Sequence, residues 1–128
     1  MKIGQKKKFI AINKQANSLY SLIADGQYRA TSLRRNKWKK LIGSKASLQH
    51  YCNKEGFNAR PDINNGQSKA RIGIISNDKI NNCLGCDSRI GFGTGGLYDD
   101  SNTCGNEALH RPDNGNRHIK AFGYILVQ

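Results

Sequence analysis

No apolar run in this 128-residue chain approaches the 18 or more residues that would cross a bilayer as a helix. Hydrophobic residues make up 37% of it, enough for one domain with a modest core. Acidic residues are scarce, nine against 21 Lys and Arg, and nearly missing from the first half. Residues 1–60 carry 14 basic side chains and two acids, Asp25 and Glu55, whereas residues 61–128 carry seven of each. Such a first half would meet a polyanion (nucleic acid, acidic glycan, anionic lipid or acidic matrix), or would simply be a solvated basic surface. There is no Asn-x-Ser/Thr acceptor, no G-x-S-x-G nucleophile turn and no EF-hand spacing. The apolar residues 9–12, after a basic tail at 1–8, are too few for a signal-peptide core. Either a secretion signal is encoded upstream, or the protein is intracellular with its thiols free or metal-bound.

What the chain does have is glycine, 14 residues, and asparagine-rich turns, which suit a loop-rich domain better than a helical bundle. The sequence predicts an α+β, mainly β domain over residues 9–128: an antiparallel, sandwich-like sheet with one short helix and long Gly/Asn-rich loops. Residues 9–12 read as a first strand and 19–23 as a second short element, with a turn at Asp25-Gly26. The helix is expected at 47–55, capped by Ser44 or Ser47. Leu48, Tyr51 and Cys52 form its apolar stripe, and Gly56 ends it. Asn64-Asn65-Gly66 marks a turn. Residues 70–76 and 88–92 read as neighbouring strands, Arg71-Ile72-Gly73 echoing Arg89-Ile90-Gly91. After the turn at residues 113–116, residues 119–127 read as a central strand covered on both faces that closes the fold.

Residues 82–108 hold three of the four cysteines and are where a site would sit. Gly91 to Gly96 match G-x-G-x-x-G, but the following Leu97-Tyr98-Asp99-Asp100 is turn-forming and would repel phosphate, so a tightly turning loop is expected instead of a nucleotide site. Cys83, Cys86, Cys104 and His110 approach zinc-ligand spacing, yet leave Cys52 unexplained. The alternative is two disulfides, for which the expected pairing is Cys52 with Cys83 and Cys86 with Cys104; other pairings stay open. Asp99, Asp100, Ser101 and Asn102 form an acidic loop that could bind a ligand or supply oxygens to calcium. A small hydrolase built on Asp99 and Asp100 is the catalytic alternative. The stretch Arg34, Arg35, Lys37, Trp38, Lys39, Lys40 sets a ring among cations, as nucleic-acid sites do. The stronger reading is that a lone Trp in a small domain is core, flanked by lysines that snorkel.

The order ANSLYSL, a Trp-containing basic stretch, YCNKEGFN, ARIGIISN, CDSRIGFGTGG, NTCGNEA and GYILVQ resembles cysteine-containing extracellular modules of marine invertebrates, some of them in coral skeletal organic matrix proteins. CDSRIGFG with NTCGNEA carries most of the likeness. It implies a secreted β-rich module with paired cysteines and no catalytic residues to carry over. The cysteine framework, the acidic Gly/Asn loop and the absence of a catalytic motif lead to the expected function: an extracellular recognition or matrix module that binds glycan or an acidic matrix polymer through its loops, with calcium as a candidate ligand. The alternative is a basic intracellular protein that binds nucleic acid through residues 34–40.

Overall fold

The computed structural model describes residues 8–63, 66–80, 82–97 and 99–128. Most of the basic tail and the Asn64-Asn65 turn lie outside them. Two helices, α1 (Leu19–Ile23) and α2 (Arg35–Ile42), accompany six strands: β1 (Arg29–Ala30), β2 (Tyr51–Ala59), β3 (Lys69–Asn77), β4 (Ser88–Gly95), β5 (Cys104–Ala108) and β6 (Arg117–Lys120). The strands form one antiparallel sheet in chain order. The class is α+β, mainly β, as the composition implies.

The echo of residues 71–73 in 89–91 is a pairing: Gly73 stands opposite Gly91, and Ile74 opposite Ile90. Gly56 and Gly105 continue this row, giving four glycines side by side across β2 to β5. Their close approach is obligatory at Gly91. There φ is +155°, and an added Cβ would lie 2.3 Å from the carbonyl oxygen of Ile72.

One sheet face carries Phe57, Ile72, Ile74 and Ile90, and against it pack Leu22 of α1, Trp38 of α2, Ala46 and Leu48. Burying each of the larger side chains contributes roughly 1.5–3 kcal/mol relative to exposure. Ile75, Asn77 and Arg89, which alternate with that set, are buried too. The chain around Ser68, Cys86 and Leu97 is tied together on that side, Ser68 N–H donating to Cys86 O at 2.9 Å and Leu97 N–H to Gly66 O at 2.9 Å.

Three expectations in the first 60 residues are corrected, and one left open is resolved. Residues 51–59 are strand, not helix. The N–H groups of Ser47, Leu48 and Gln49 donate to side chains, Asn106 Oδ1 (2.9 Å), Asp113 Oδ1 (3.1 Å) and Ser88 Oγ (2.9 Å), instead of to carbonyls one turn back. Gly56, read as a helix stop, lies in the sheet between Ala30 and Gly73. Residues 9–12 form no strand, although Ile10 and Ile12 pack on the core. The 19–23 element is a helix, with Ser18 and Ser21 capping each other reciprocally.

Gly91, Gly93 and Gly95 lie within β4 and not in a loop. The closing strand is only Arg117–Lys120, and beyond it Phe122, Tyr124, Leu126 and Val127 are exposed. β5 runs out of partners there. After Ala121 N–H bonds Cys104 O, the next residue back, Thr103, already gives its carbonyl to Thr94 N–H.

The Gly91→Ala variant is expected to lose about 2–4 kcal/mol, read as a lower urea midpoint at unchanged slope.

Candidate functional site

Arg89 is fully buried. Its Nη1 donates to the carbonyls of Gly96 (3.2 Å) and Leu97 (3.1 Å) and to Ser68 Oγ (3.4 Å), and its Nη2 donates to Asp99 O at 2.7 Å. Burial lowers its pKa, opposed by the charges of Glu107, Asp100 and Asp99. A cation beneath the β4–β5 connection therefore fixes the backbone that presents Asp99.

The side chain of Asp99 meets two residues that face each other across β5 and β6, Glu107 and His118. His118 Nδ1 hydrogen-bonds Glu107 Oε1 and stands 3.3 Å from Asp99 Oδ2. Asp99 and His118 are open to solvent, whereas the Glu107 side chain is 9% exposed at the floor. One donor atom from each residue lies within 4.8 Å of the others. One imidazole and two carboxylates suit a zinc-type ion better than calcium, which takes more oxygens.

Of the acidic loop, only Asp99 enters this group. Its Oδ1 accepts from Ser101 N–H at 3.0 Å and from Ser101 Oγ–H, and these bonds, more than the nearby His118 charge, lower its pKa. Asp100 Oδ1 instead accepts from Gly96 N–H at 3.0 Å. Asn102 is buried, donating through Nδ2 to Ile119 O at 3.1 Å. The four residues thus do not converge as one ligand set. Glu107 and His118 join Asp99 only through strand register, a relation no local motif records.

A shallow groove of about 510 Å³ adjoins His118. Lys8, Lys45, Lys120 and His118 line it together with Gly43 and Ser44, and among the described residues no carboxylate lines it.

The 34–40 stretch is divided. Trp38 is fully buried in the core, which removes it as a stacking surface. Arg35 Nη2 (2.7 Å) and Lys39 Nζ (2.6 Å) both pair with Asp113 Oδ2. Arg34, Lys37 and Lys40 are exposed.

The cysteines are divided as well. Cys52 and Cys83 are bonded as expected. The second expected disulfide is corrected, since Cys86 and Cys104 are both free. Cys104 pairs with Phe92 on β4, and Cys86 lies before Ser88 at the strand's other end, about 13 Å or more away at the rise of a strand. That separation also breaks up the Cys83, Cys86, Cys104, His110 zinc set.

Comparison with protein-family models, with curated proteins and with solved structures finds no match.

Asp113 provides a pH test of this surface. Partial burial acts to raise its pKa, but hydrogen bonds from Lys39, the Leu48 N–H and Arg35 outweigh that and lower it. A depressed folded-state pKa gives stability that is present above the unfolded value and lost as pH falls through the folded one. Asp113→Asn should therefore cost roughly 1–3 kcal/mol at pH 7. The gap to the parent should narrow below about pH 4, as read by thermal melts across pH.

Proposed function

We propose that the chain is a non-catalytic extracellular recognition module that binds an acidic glycan or acidic matrix polymer. The observation that carries this reading is the groove of Lys8, Lys45, Lys120 and His118, which no carboxylate lines among the described residues. It continues at His118 into Asp99 and Ser101, whose oxygens face solvent and can accept from sugar hydroxyls. Sulfate or carboxylate groups would lie over the lysines, and hydroxyls against the loop. The loop is held by Arg89, so the polar groups it presents are ordered before a ligand arrives, which lowers the entropy cost of binding. The Cys52–Cys83 disulfide fits an oxidising compartment and supports secretion. Among the described residues, no helix is long and apolar enough to cross a membrane.

The nucleic-acid reading of residues 34–40 has less support, because Trp38 is buried and Arg35 and Lys39 are held by Asp113.

Heparin titrated into the protein at low salt should bind, and binding should weaken as salt screens the lysines. Lys45→Glu combined with Lys120→Glu should reduce affinity at least about tenfold, while Lys37→Glu with Lys40→Glu should leave it nearly unchanged. No heparin binding at low salt would overturn the glycan reading. Tighter binding to duplex DNA that depends on Lys37 and Lys40 would favour the alternative.

A further inference from the structure

Cys86 is a free, fully buried thiol. Its Sγ lies 3.9 Å from Cys52 Sγ, which is already bonded to Cys83. Three sulfurs thus share one cluster, with the free one against a bonded one. We propose that Cys86 is an exchange partner for this disulfide, so that the chain interconverts between a Cys52–Cys83 and a Cys52–Cys86 pairing.

The surrounding backbone suits such an exchange. Cys52 and Asn53 form a bulge in β2, where the register with β3 slips between Tyr51 and Lys54. Both have positive φ, +72° and +49°. Cys52 is therefore released from the regular ladder at the point where its sulfur would have to turn from one partner to the other. Cys83 and Cys86 lie on one short loop, separated by Leu84 and Gly85. That loop is anchored at both sulfur-bearing residues, Cys83 O accepting from Asp62 N–H at 3.0 Å and Cys86 O from Ser68 N–H at 2.9 Å. Either sulfur can reach Cys52 without the sheet opening.

The step conserves atoms and electrons. Cys86 loses its proton to solvent and its thiolate attacks Cys52 Sγ. The Cys52–Cys83 bond breaks, and Cys83 leaves as a thiolate that takes up a proton. One disulfide and one thiol are present before and after, and no external oxidant or reductant is consumed.

What changes is the location of the thiol. Cys83 is half-buried and Cys86 fully buried, so exchange moves the reactive sulfur from the interior toward the surface. Burial, and then the charges of Asp87 and Asp62, push the Cys86 thiol up to about 12 against the pull of Lys54. Exchange is accordingly slow at neutral pH and quickens as the thiolate fraction grows.

The test is disulfide mapping by mass spectrometry on the full chain. Native protein is held at pH 7 to 10 without reductant, then quenched in acid, alkylated and digested. The expected result is a Cys52–Cys86 peptide together with alkylated Cys83. These should appear at a rate that is independent of protein concentration and rises about tenfold per pH unit. Cys86→Ala should abolish Cys83 alkylation. A folded Cys83→Ser variant, equilibrated with glutathione disulfide, should form Cys52–Cys86. Recovery of Cys52–Cys83 alone from the parent at every pH would overturn the proposal, as would a folded Cys83→Ser protein that keeps Cys52 and Cys86 as thiols. The parent experiment decides the matter if Cys83→Ser does not fold.

Discussion

A guanidinium removed from water costs several kcal/mol unless the protein surrounds it with oxygens, and the two terminal nitrogens of Arg89 find theirs in its neighbourhood, while its Nε is left without a partner. Ser68, Gly96, Leu97 and Asp99 supply its acceptors, and Glu107 stands opposite it in register. These residues come from three separate stretches of chain, so one side chain fixes how the loops lie over that side of the sheet. Asp99 reaches Glu107 and His118 because its own carbonyl is one of the acceptors. The candidate ligand site is thus a by-product of satisfying a buried charge, and the acids around it also offset that charge.

The same logic explains why the helical pattern at residues 47–55 misleads. Leu48, Tyr51 and Cys52 have helical spacing, but buried polar side chains take over the backbone hydrogen bonds there. Asn106 binds Ser47 in both directions, receiving its N–H at 2.9 Å and donating to its carbonyl at 2.9 Å. Gln49 accepts from Asp87 N–H through Oε1 and donates to His110 O through Nε2. Glu55, almost fully buried, accepts from Thr31 Oγ1, Leu33 N–H and Arg34 N–H, each at 2.6 Å, and so steers the chain into α2. Such partners lie 21 to 61 positions away in the chain, beyond the reach of any window reading of periodicity.

What could be read in advance divides along that line. The class, the pairing of β3 with β4, the Trp38 core position and one disulfide each have a local signature: alternating apolar residues, an echoed tripeptide, a lone Trp among lysines, a cysteine set with few solutions. Asp99 was legible as a loop acid. Its joining with Glu107 and His118 was not, because a one-residue change of register would send both cross-strand side chains to the opposite face. The free state of Cys86 and Cys104 depends on how far apart β4 places them, which spacing along the chain does not encode.

Strand order that follows chain order has a kinetic side. Each strand pairs only with the one before and the one after it, so from β2 onward the sheet can assemble hairpin by hairpin with short loop closures, the cheapest in entropy. The layer above it cannot. Ser47 and Leu48 wait for Asn106, Asp113 and Gly115, 59 to 68 positions later in the chain. During synthesis the segment around Ser47 and Leu48 therefore stays undocked until residues 106–115 have emerged, and closure of the core over Leu48 waits on them rather than on the sheet.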